Sequence, residues 1–196
     1  MRTRDTDKEL LVRKRAISML VNDGLDGFSM NKLAKACGIS VATLYIYFQD
    51  KDDLIQQIGL DISRNFVAST FDGFSPDMPF AEGLRKQWEN RARFAMAFPD
   101  EVAYHDMIRH THYGDYILDE VVTTFKNVMA TFIQNAITNH ELKPVAPEVF
   151  WSVAYGPLYT LLRFHRERQG LGGKPFQLSD DLLEDALQMV LNGLKP

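Results

Sequence analysis

The sequence has very little cysteine, since Cys37 is the only one in 196 residues. A single cysteine excludes an intramolecular disulfide framework and any zinc site built from several cysteines, so a reducing compartment is the simplest setting. The sequence also lacks a hydrophobic run near the ~20 apolar residues of a membrane helix. Its N-terminal segment, MRTRDTDKELLVRKR, has no apolar core of the signal-peptide type. These absences predict a cytoplasmic protein.

Common catalytic and nucleotide-binding motifs are missing as well. The chain has no phosphate-binding loop of the GxxxxGK type, no GxSxG nucleophile elbow and no HExxH motif. Three histidines, His105, His110 and His112, lie near Asp106 and Asp115, but no two histidines have the i, i+4 spacing that aligns metal ligands on a helix. We therefore expect no enzyme, no metal site and no other cofactor. A helical enzyme that uses this histidine region is the weakest alternative.

The charge is unevenly distributed along the chain. Residues 1–52 contain nine lysines and arginines against seven acidic residues, whereas residues 53–196 contain 13 against 19. The net charge of −4 therefore combines a first segment of +2 with a second segment of −6. A basic front on an acidic body indicates an anionic partner, such as nucleic acid, for one end of the chain. A charge run alone more often marks a solvated helix face.

Hydrophobic periodicity indicates an all-α fold of about nine helices, because no segment shows sustained strand alternation. The first four helices are predicted to begin at the caps Thr6, Ser29, Ser40 and Asp50. Gly24 and Gly38 are predicted to end the first and second helices. The third helix is expected over residues 41–48, and the fourth over about 51–70. Longer helices are expected over about 80–98, 100–109, 115–139, 147–169 and 180–194. The short second and third helices, joined by a tight turn, match a helix-turn-helix unit.

Residues 28–54, FSMNKLAKACGISVATLYIYFQDKDDL, resemble the DNA-binding region of TetR-family transcriptional regulators. The matching positions are Ser29, the pair Leu33-Ala34, the turn Cys37-Gly38-Ile39-Ser40, the run Thr43-Leu44-Tyr45-Ile46-Tyr47-Phe48 and the segment Lys51-Asp52-Asp53-Leu54. The resemblance implies two domains. Residues 1–52 would form a three-helix DNA-binding domain with one helix in the major groove. Residues 53–196 would form a helical effector-binding and dimerisation domain.

The resemblance assigns DNA contacts to the second and third helices and to the start of the fourth. The expected DNA-binding residues are Ser29, Asn31, Lys32, Ser40, Val41, Ala42, Thr43, Tyr45, Ile46, Tyr47 and Lys51. Thr43, Tyr45 and Tyr47 are expected to face the nucleic acid. Val41 stands where the family often has a basic or polar residue, and Ala42 stands where glycine is common. They predict readout of thymine methyl groups and DNA shape rather than hydrogen bonding to bases.

Alternatives stay open for several of these residues. Ser29 is also an ordinary helix cap, and Asn31 either pairs with adenine or remains solvated. Lys51 lies beside the positive end of the fourth helix, where a bound phosphate would relieve the repulsion. Lys35 is expected to contribute to the positive electrostatic potential of this surface rather than to make a fixed contact. Cys37 replaces the alanine common in the family and is interpreted as a small buried hydrophobe, with redox sensing as the alternative.

The second domain supplies candidates for a ligand pocket and for a dimer interface. The pocket candidates are Trp88, Phe94, Tyr104, Met107, Phe125, Met129, Trp151 and Tyr155. Most aromatic side chains at helical spacing belong to a core, so only some of these are expected to contact a ligand. The interface candidates on the last two helices are Trp151, Tyr155, Leu158, Leu162, Leu183, Leu187 and Val190.

The sequence therefore predicts a homodimeric, ligand-responsive regulator that binds double-stranded DNA at a palindromic operator. The resemblance favours a repressor that a small-molecule effector releases from DNA. An effector in the second domain would change the spacing of the two DNA-binding heads through the fourth helix. The alternative is a small-molecule binding or sequestering protein with a weak or vestigial helix-turn-helix, which the apolar Val41 and Ala42 keep open.

Overall fold

A computed structural model of the protein describes residues 6–196, apart from the side chains of residues 118–120 and 124. The α-helices in this range are α1 (Thr6–Gly27), α2 (Met30–Cys37), α3 (Val41–Leu44), α4 (Lys51–Thr70), α5 (Phe80–Ala97), α6 (Pro99–Ile108), α7 (His112–Thr138), α8 (Pro147–Glu167) and α9 (Asp180–Leu194). A short 3₁₀ turn covers Leu171–Gly173, and the same range contains no strand. The prediction of an all-α fold with about nine helices is confirmed. Residues 1–5 of the predicted first domain lie outside the described residues.

Side-chain caps explain several helix ends. The Ser29 Oγ accepts a hydrogen bond from the Lys32 backbone N–H at 3.3 Å, and the Ser179 Oγ caps α9 in the same way. Gly38 ends α2 with a φ of 65°, a left-handed conformation that glycine adopts without strain. Gly24 has a φ of 72° and a ψ of 176°, which interrupts α1 at the predicted end before the chain continues to Gly27.

The third helix is shorter than predicted. The α-helical part ends at Leu44, and residues 45–47 continue as turns instead of helix. The Tyr47 backbone N–H donates to the Leu44 carbonyl at 2.9 Å, three residues back, which is the tighter 3₁₀ pattern. The i, i+4 pair Leu44 and Phe48 indicated a continuous helix, but the tighter turn also buries both side chains.

The chain folds into two compact units. Among the described residues, unit 1 comprises 6–65 and 100–122, and unit 2 comprises 66–99 and 123–196. This division differs from the predicted one between residues 52 and 53, because most of α4 belongs to unit 1 together with α6 and the first part of α7.

Unit 1 has a core built on one face of α1, where Val12, Ala16 and Leu20 are buried. Helix α6 contributes the buried Tyr104, whose hydroxyl donates to the Ile55 carbonyl at 2.7 Å. Helix α7 contributes Tyr113, whose hydroxyl donates to the Asp52 Oδ1 at 2.5 Å. These two hydrogen bonds connect the later helices to α4, which explains why the unit extends beyond residue 52.

Unit 2 has a core rich in phenylalanine. The ring of Phe132 on α7 lies 5.7 Å from Phe80 and 5.1 Å from Phe74, measured between centroids. The indole Nε1 of Trp88 on α5 donates to the Ala154 carbonyl on α8 at 2.7 Å. Arg85 on α5 forms an ion pair with Glu184 on α9. Helices α5, α8 and α9 are therefore joined by both apolar packing and polar contacts.

Two negative observations concern the described residues alone. None of the helices between Thr6 and Leu194 combines the length and apolarity required to cross a membrane. Within the same part of the chain, no three histidine, cysteine, aspartate or glutamate side chains converge in a geometry that could hold a metal ion.

Candidate functional site

The candidate site is the outer face of α2, α3 and the turn that joins them in unit 1. Helix α2 buries Met30, Leu33 and Ala34, and α3 buries only Leu44. The side chains left exposed on this face are Asn31, Lys32, Lys35, Ser40, Ala42, Tyr45 and Ile46. The core thus fixes the orientation of both helices, while a mixed basic and apolar surface remains available.

The most exposed apolar side chains of this surface are Tyr45 and Ile46, which keep 53% and 49% of their area accessible. Two adjacent large apolar residues in such positions indicate a surface that binds a partner. Val41 is half-buried and Ala42 is exposed, so α3 offers no strong hydrogen-bonding side chain at its start. The Thr43 Oγ1 lies 2.8 Å from the Ser40 Oγ, which ties Thr43 to the cap of its own helix.

Tyr47 is largely buried, as a tyrosine that packs its ring on the scaffold would be. Its side chain is 7% exposed, and its ring belongs to the unit 1 core, with the centroid 6.4 Å from that of Phe48. Tyr47 lies three residues after the buried Leu44, so the two side chains share one face of the turn. The ring of Tyr47 therefore supports the outer surface from behind.

Two lysines of the predicted site have partners within unit 1. The Lys51 Nζ donates to the carbonyls of Leu25 at 2.7 Å and Phe28 at 3.4 Å, and the Lys32 Nζ donates to the Gly27 carbonyl at 2.7 Å. Both ammonium groups thereby satisfy carbonyls at or just after the end of α1. An ammonium has three N–H donors, so neither lysine is saturated by these contacts.

The acidic residues at the start of α4 are engaged in local hydrogen bonds. The Asp50 Oδ1 accepts from the Asp53 backbone N–H at 2.8 Å, and the Asp53 Oδ2 accepts from the Gln49 backbone N–H at 2.7 Å. These carboxylates cap α4, which explains their presence near a basic surface.

Cys37 is half-buried at the end of α2. Burial raises the pKa of its thiol, and the nearby Arg15 opposes the shift only in part. A thiol with a raised pKa remains protonated at neutral pH and reacts slowly. This environment supports the interpretation of Cys37 as a small hydrophobe.

The eight pocket candidates do not form one cluster. Tyr104 and Met107 lie on α6 and pack in the unit 1 core. In unit 2, Trp88 is fully buried and Met129 is also buried in the core, while Phe94 packs against Phe66 with centroids 5.3 Å apart. Only Phe125, Trp151 and Tyr155 surround a polar group.

That polar group is the guanidinium of Arg91 on α5, a residue that the sequence reasoning missed. The Arg91 Cζ lies between 4.5 and 6.0 Å from the centroids of five aromatic rings, those of Phe66, Phe125, Trp151, Tyr155 and Tyr159. We call this arrangement the Arg91 cage. The available signal was spacing, because Arg91 follows the buried Leu84 by seven residues and so shares the inner face of α5.

Comparison with known proteins shows which family the chain resembles. Residues 13–58, which include α2, α3 and the exposed face, match the model of bacterial regulatory proteins of the tetR family. The whole fold is similar to that of a TetR family transcription regulator from Marinobacter aquaeolei VT8, with a TM-score of 0.82 and 26% sequence identity. That similarity covers 99% of this chain and 98% of the other.

The chain is therefore similar to TetR-family regulators, both in its helix-turn-helix segment and in its whole fold. It is 32% identical over 90 residues to an HTH-type transcriptional regulator of Haemophilus influenzae, a match that spans 46% of this chain and only 48% of that relative. It is 22% identical over 170 residues to the HTH-type transcriptional regulator YhgD of Bacillus subtilis, covering 83% and 86% of the two chains. TetR-family proteins are transcriptional regulators rather than enzymes, and they bind DNA and act as dimers.

The TetR-family fold places most predicted interface residues inside unit 2. The side chains that are buried there are Tyr155, Leu158, Leu162, Leu187 and Val190. Leu183 is half-buried, and Trp151 is 39% exposed. The apolar side chains that α8 and α9 do expose are instead Val149, Val153, Leu182 and Met189. Sequence periodicity located the apolar faces that pack α8 and α9 onto the core.

Proposed function

We propose that this chain is a homodimeric, DNA-binding TetR-family regulator in the cytoplasm, and a repressor that a small-molecule effector releases from a palindromic operator. The observation that supports DNA binding best is the exposed face of α2 and α3, which has Tyr45 and Ile46 at its centre. The major groove of B-DNA admits an α-helix, and the second helix of a helix-turn-helix occupies it.

The proposed contacts follow from the side chains on that face. Asn31 is suited to a base edge, because its amide can pair with adenine. Ala42 and Ile46 offer only apolar surface, so they would contact thymine methyl groups. Tyr45 has an exposed hydroxyl that would donate to a phosphate. Lys32 would contact the DNA phosphates, which fixes the register of the protein on DNA but does not determine its sequence preference.

The remaining predicted DNA residues have supporting roles in this proposal. Ser29 and Ser40 cap α2 and α3, and the Thr43 hydroxyl is close to Ser40. Val41 is half-buried and would touch DNA only with its outer methyl group. Lys51 holds the end of α1 in place and contributes positive charge near the phosphates.

The outer faces of α8 and α9 form the proposed dimer interface. Val149 and Val153 are 51% and 37% exposed on α8, and Leu182 and Met189 are 43% and 78% exposed on α9. Their spacings of four and seven residues place each pair on one side of its helix. A second copy that packs there would bury both pairs in a four-helix, two-fold symmetric interface.

Effector control would act as a change in affinity between two conformations. An effector shifts the equilibrium only if it binds the DNA-free conformation more tightly than the DNA-bound one. Helix α4 contributes residues to both units and is the proposed element whose displacement changes the position of the DNA-binding heads.

The DNA-binding proposal is tested by mobility shift on the DNA upstream of the chain's own coding sequence, across a series of salt concentrations. We expect binding that weakens steeply as salt increases, because lysine and arginine contacts release counterions from phosphates. The Tyr45→Ala variant should bind at least ~10-fold more weakly, since a phosphate contact and apolar surface are lost together.

Tyr116→Ala is the matched control, because Tyr116 is a second exposed tyrosine of unit 1, 44% accessible, that lies on α7. It should bind DNA like the unmodified protein. Absence of binding at low salt, or binding that salt does not weaken, would refute the proposal. Weak DNA binding combined with tight binding of a small molecule would favour a sequestering protein instead.

A further inference from the structure

Arg91 is the only charged side chain among the described residues that is buried, with 1% of its area exposed. Burying a charge costs several kcal/mol unless it is paired or well hydrogen-bonded. Other arginines have carboxylate partners: Arg13 pairs with Asp61, Arg85 with Glu184 and Arg93 with Asp72. In the part of the chain that the structure describes, no carboxylate lies within ion-pair distance of Arg91.

The hydrogen bonds of Arg91 go to neutral groups and are incomplete. One terminal nitrogen donates to the Tyr159 hydroxyl at 2.6 Å, and the other donates to the Gln87 Oε1 at 3.1 Å. The Gln87 amide nitrogen is itself held by the Thr70 carbonyl, which orients Gln87 toward Arg91. The Arg91 Nε is buried without a hydrogen-bond partner among the described residues. A guanidinium has five N–H donors, so a strong cationic donor is left unsatisfied.

A second buried polar group beside Arg91 is also unsatisfied. Tyr155 is fully buried, and its hydroxyl has no hydrogen-bond partner with adequate geometry among the described residues. Burial raises the pKa of this hydroxyl to about 12, although the neighbouring Arg91 opposes the rise through its charge and through a polar contact too poorly aligned to satisfy either group. The hydroxyl therefore remains protonated and able to donate. These two donors, one of them cationic, lack an acceptor that an anion would supply.

The rest of the cage is apolar. Five rings within 6.0 Å of the Arg91 Cζ stabilise the cation by cation–π attraction. Among these five residues, only the Tyr159 hydroxyl accepts a hydrogen bond from the guanidinium. Trp151 and Tyr159 on α8 are 39% and 38% exposed, so the rim of the cage reaches solvent. A polar anchor inside an aromatic wall is the usual composition of a site for an amphipathic small molecule.

We propose that Arg91 and Tyr155 bind the carboxylate of an apolar organic acid, whose hydrocarbon body packs on the rings of the Arg91 cage. One carboxylate oxygen accepts from the Arg91 Nε–H and the other from the Tyr155 hydroxyl. This inference rests on the proposed function, since the acid would be the effector, and it names the chemical class of that effector. A carboxylate is the partner that the buried guanidinium lacks.

The experiment is calorimetric titration of the full chain, without DNA, with three acids and the primary amide of each: phenylacetate, octanoate and decanoate. We expect at least one acid to bind, and its uncharged amide to bind about 10- to 100-fold more weakly, because a charge-assisted hydrogen bond is lost. Arg91→Gln should lose the preference for the acid and keep its affinity for the amide. Arg91→Lys should recover part of the preference.

Arg93→Gln is the control, because Arg93 lies two residues further along α5 on the exposed side and pairs with Asp72. It should bind the acid like the unmodified protein. The inference is wrong if none of the acids binds, if acid and amide bind equally, or if Arg91→Gln keeps the acid preference. A merely structural Arg91 would instead leave acid binding intact and lower the unfolding temperature of Arg91→Gln.

The DNA and acid experiments can fail separately. Acid binding is measured without DNA. If the protein binds an acid but no operator, the acid site is supported and the regulatory proposal is refuted. If it binds the operator but none of the three acids, the regulatory proposal is supported and the acid site is refuted. The mobility shift of Arg91→Gln on operator DNA checks that unit 1 remains folded.

Discussion

Tyr45 and Tyr47 are separated by one residue, yet one is 53% exposed and the other 7%. The difference follows from their positions relative to Leu44. Tyr47 lies three residues after Leu44 and turns inward with it, whereas Tyr45 follows it directly and points away. One short turn therefore places the Tyr47 ring in the core, where it supports the turn, and the Tyr45 ring on the surface, where it is available to a partner.

Gly83 shows a similar dependence on a single position in unit 2. A methyl group at Gly83 would lie 2.4 Å from the Phe132 Cε2, and Phe132 is itself held between Phe74 and Phe80. The absence of a side chain at Gly83 on α5 thus leaves the space that the Phe132 ring of α7 occupies.

We expect Gly83→Ala to lower the free energy of unfolding by about 1–3 kcal/mol, because the added methyl group overpacks a core without free space. Gly193→Ala is the control, since Gly193 has no atom within 4 Å of the new methyl position. It should be neutral or stabilising by up to ~1 kcal/mol through helix propensity. Urea unfolding followed by circular dichroism measures both. Equal stability of the two variants would contradict the packing described for Phe132.

At the scale of elements, helix existence was predictable from local signals. Ser29, Gly38, Ser40 and Ser179 have side chains or backbone conformations that end helices wherever they occur, and they do so here. The length of α3 was not predictable, because Leu44 and Phe48 are buried by a helix and by a tighter turn alike. Local spacing cannot distinguish these two conformations.

The candidate sites were predictable to different degrees. The exposed face of α2 and α3 lies within one continuous segment, so a sequence motif describes it almost completely. The Arg91 cage combines residues from α4, α5, α7 and α8 that are up to 93 positions apart, from Phe66 to Tyr159. Their convergence depends on tertiary packing, for which a single sequence gives no direct signal.

The ion pair between Arg85 and Glu184 connects α5 to α9. The Arg85 guanidinium and, to a lesser extent, the Gln188 amide lower the pKa of Glu184 to about 2. A carboxylate whose folded pKa is lowered stabilises the fold above its ordinary pKa, and this contribution disappears as the pH falls toward the folded value. Both side chains are more than a third exposed, at 38% and 43%, so solvent screening keeps the contribution small.

We expect Glu184→Gln to lower the free energy of unfolding at neutral pH by no more than ~1 kcal/mol. The difference from the unmodified protein should shrink between about pH 4.5 and pH 2, where Glu184 becomes protonated. Glu82→Gln, which removes an exposed carboxylate of α5, should show no such pH-dependent difference. Urea titrations at several pH values provide the test. A constant difference across the acidic range would exclude the ion pair as its cause.

At the scale of the whole molecule, two-fold symmetry would give the chain two identical DNA-binding heads. A palindromic operator requires both, because each head reads one half-site. The proposed interface depends on apolar side chains of α8 and α9 that remain exposed on the protomer, and Met189 is the most exposed of them at 78%.

We expect Met189→Glu to shift the protein from dimer to monomer in sedimentation velocity, because burying two unpaired carboxylates at a symmetric contact is costly. Operator affinity should fall with it. Leu171→Glu is the matched control, since Leu171 is 81% exposed in the 3₁₀ turn outside both helices. A Met189→Glu protein that remains dimeric, or a Leu171→Glu protein that dissociates, would place the interface elsewhere.

The positions of the two tryptophans have a practical consequence. Trp88 and Trp151 are the only two in the sequence, and both belong to unit 2, while the DNA-binding unit has none. Trp88 is completely shielded and bonded to the Ala154 carbonyl, whereas Trp151 lies partly in solvent, 5.5 Å from the Arg91 guanidinium. Tryptophan emission therefore comes from unit 2 alone. Trp151 is therefore an optical reporter within the Arg91 cage, without any attached dye.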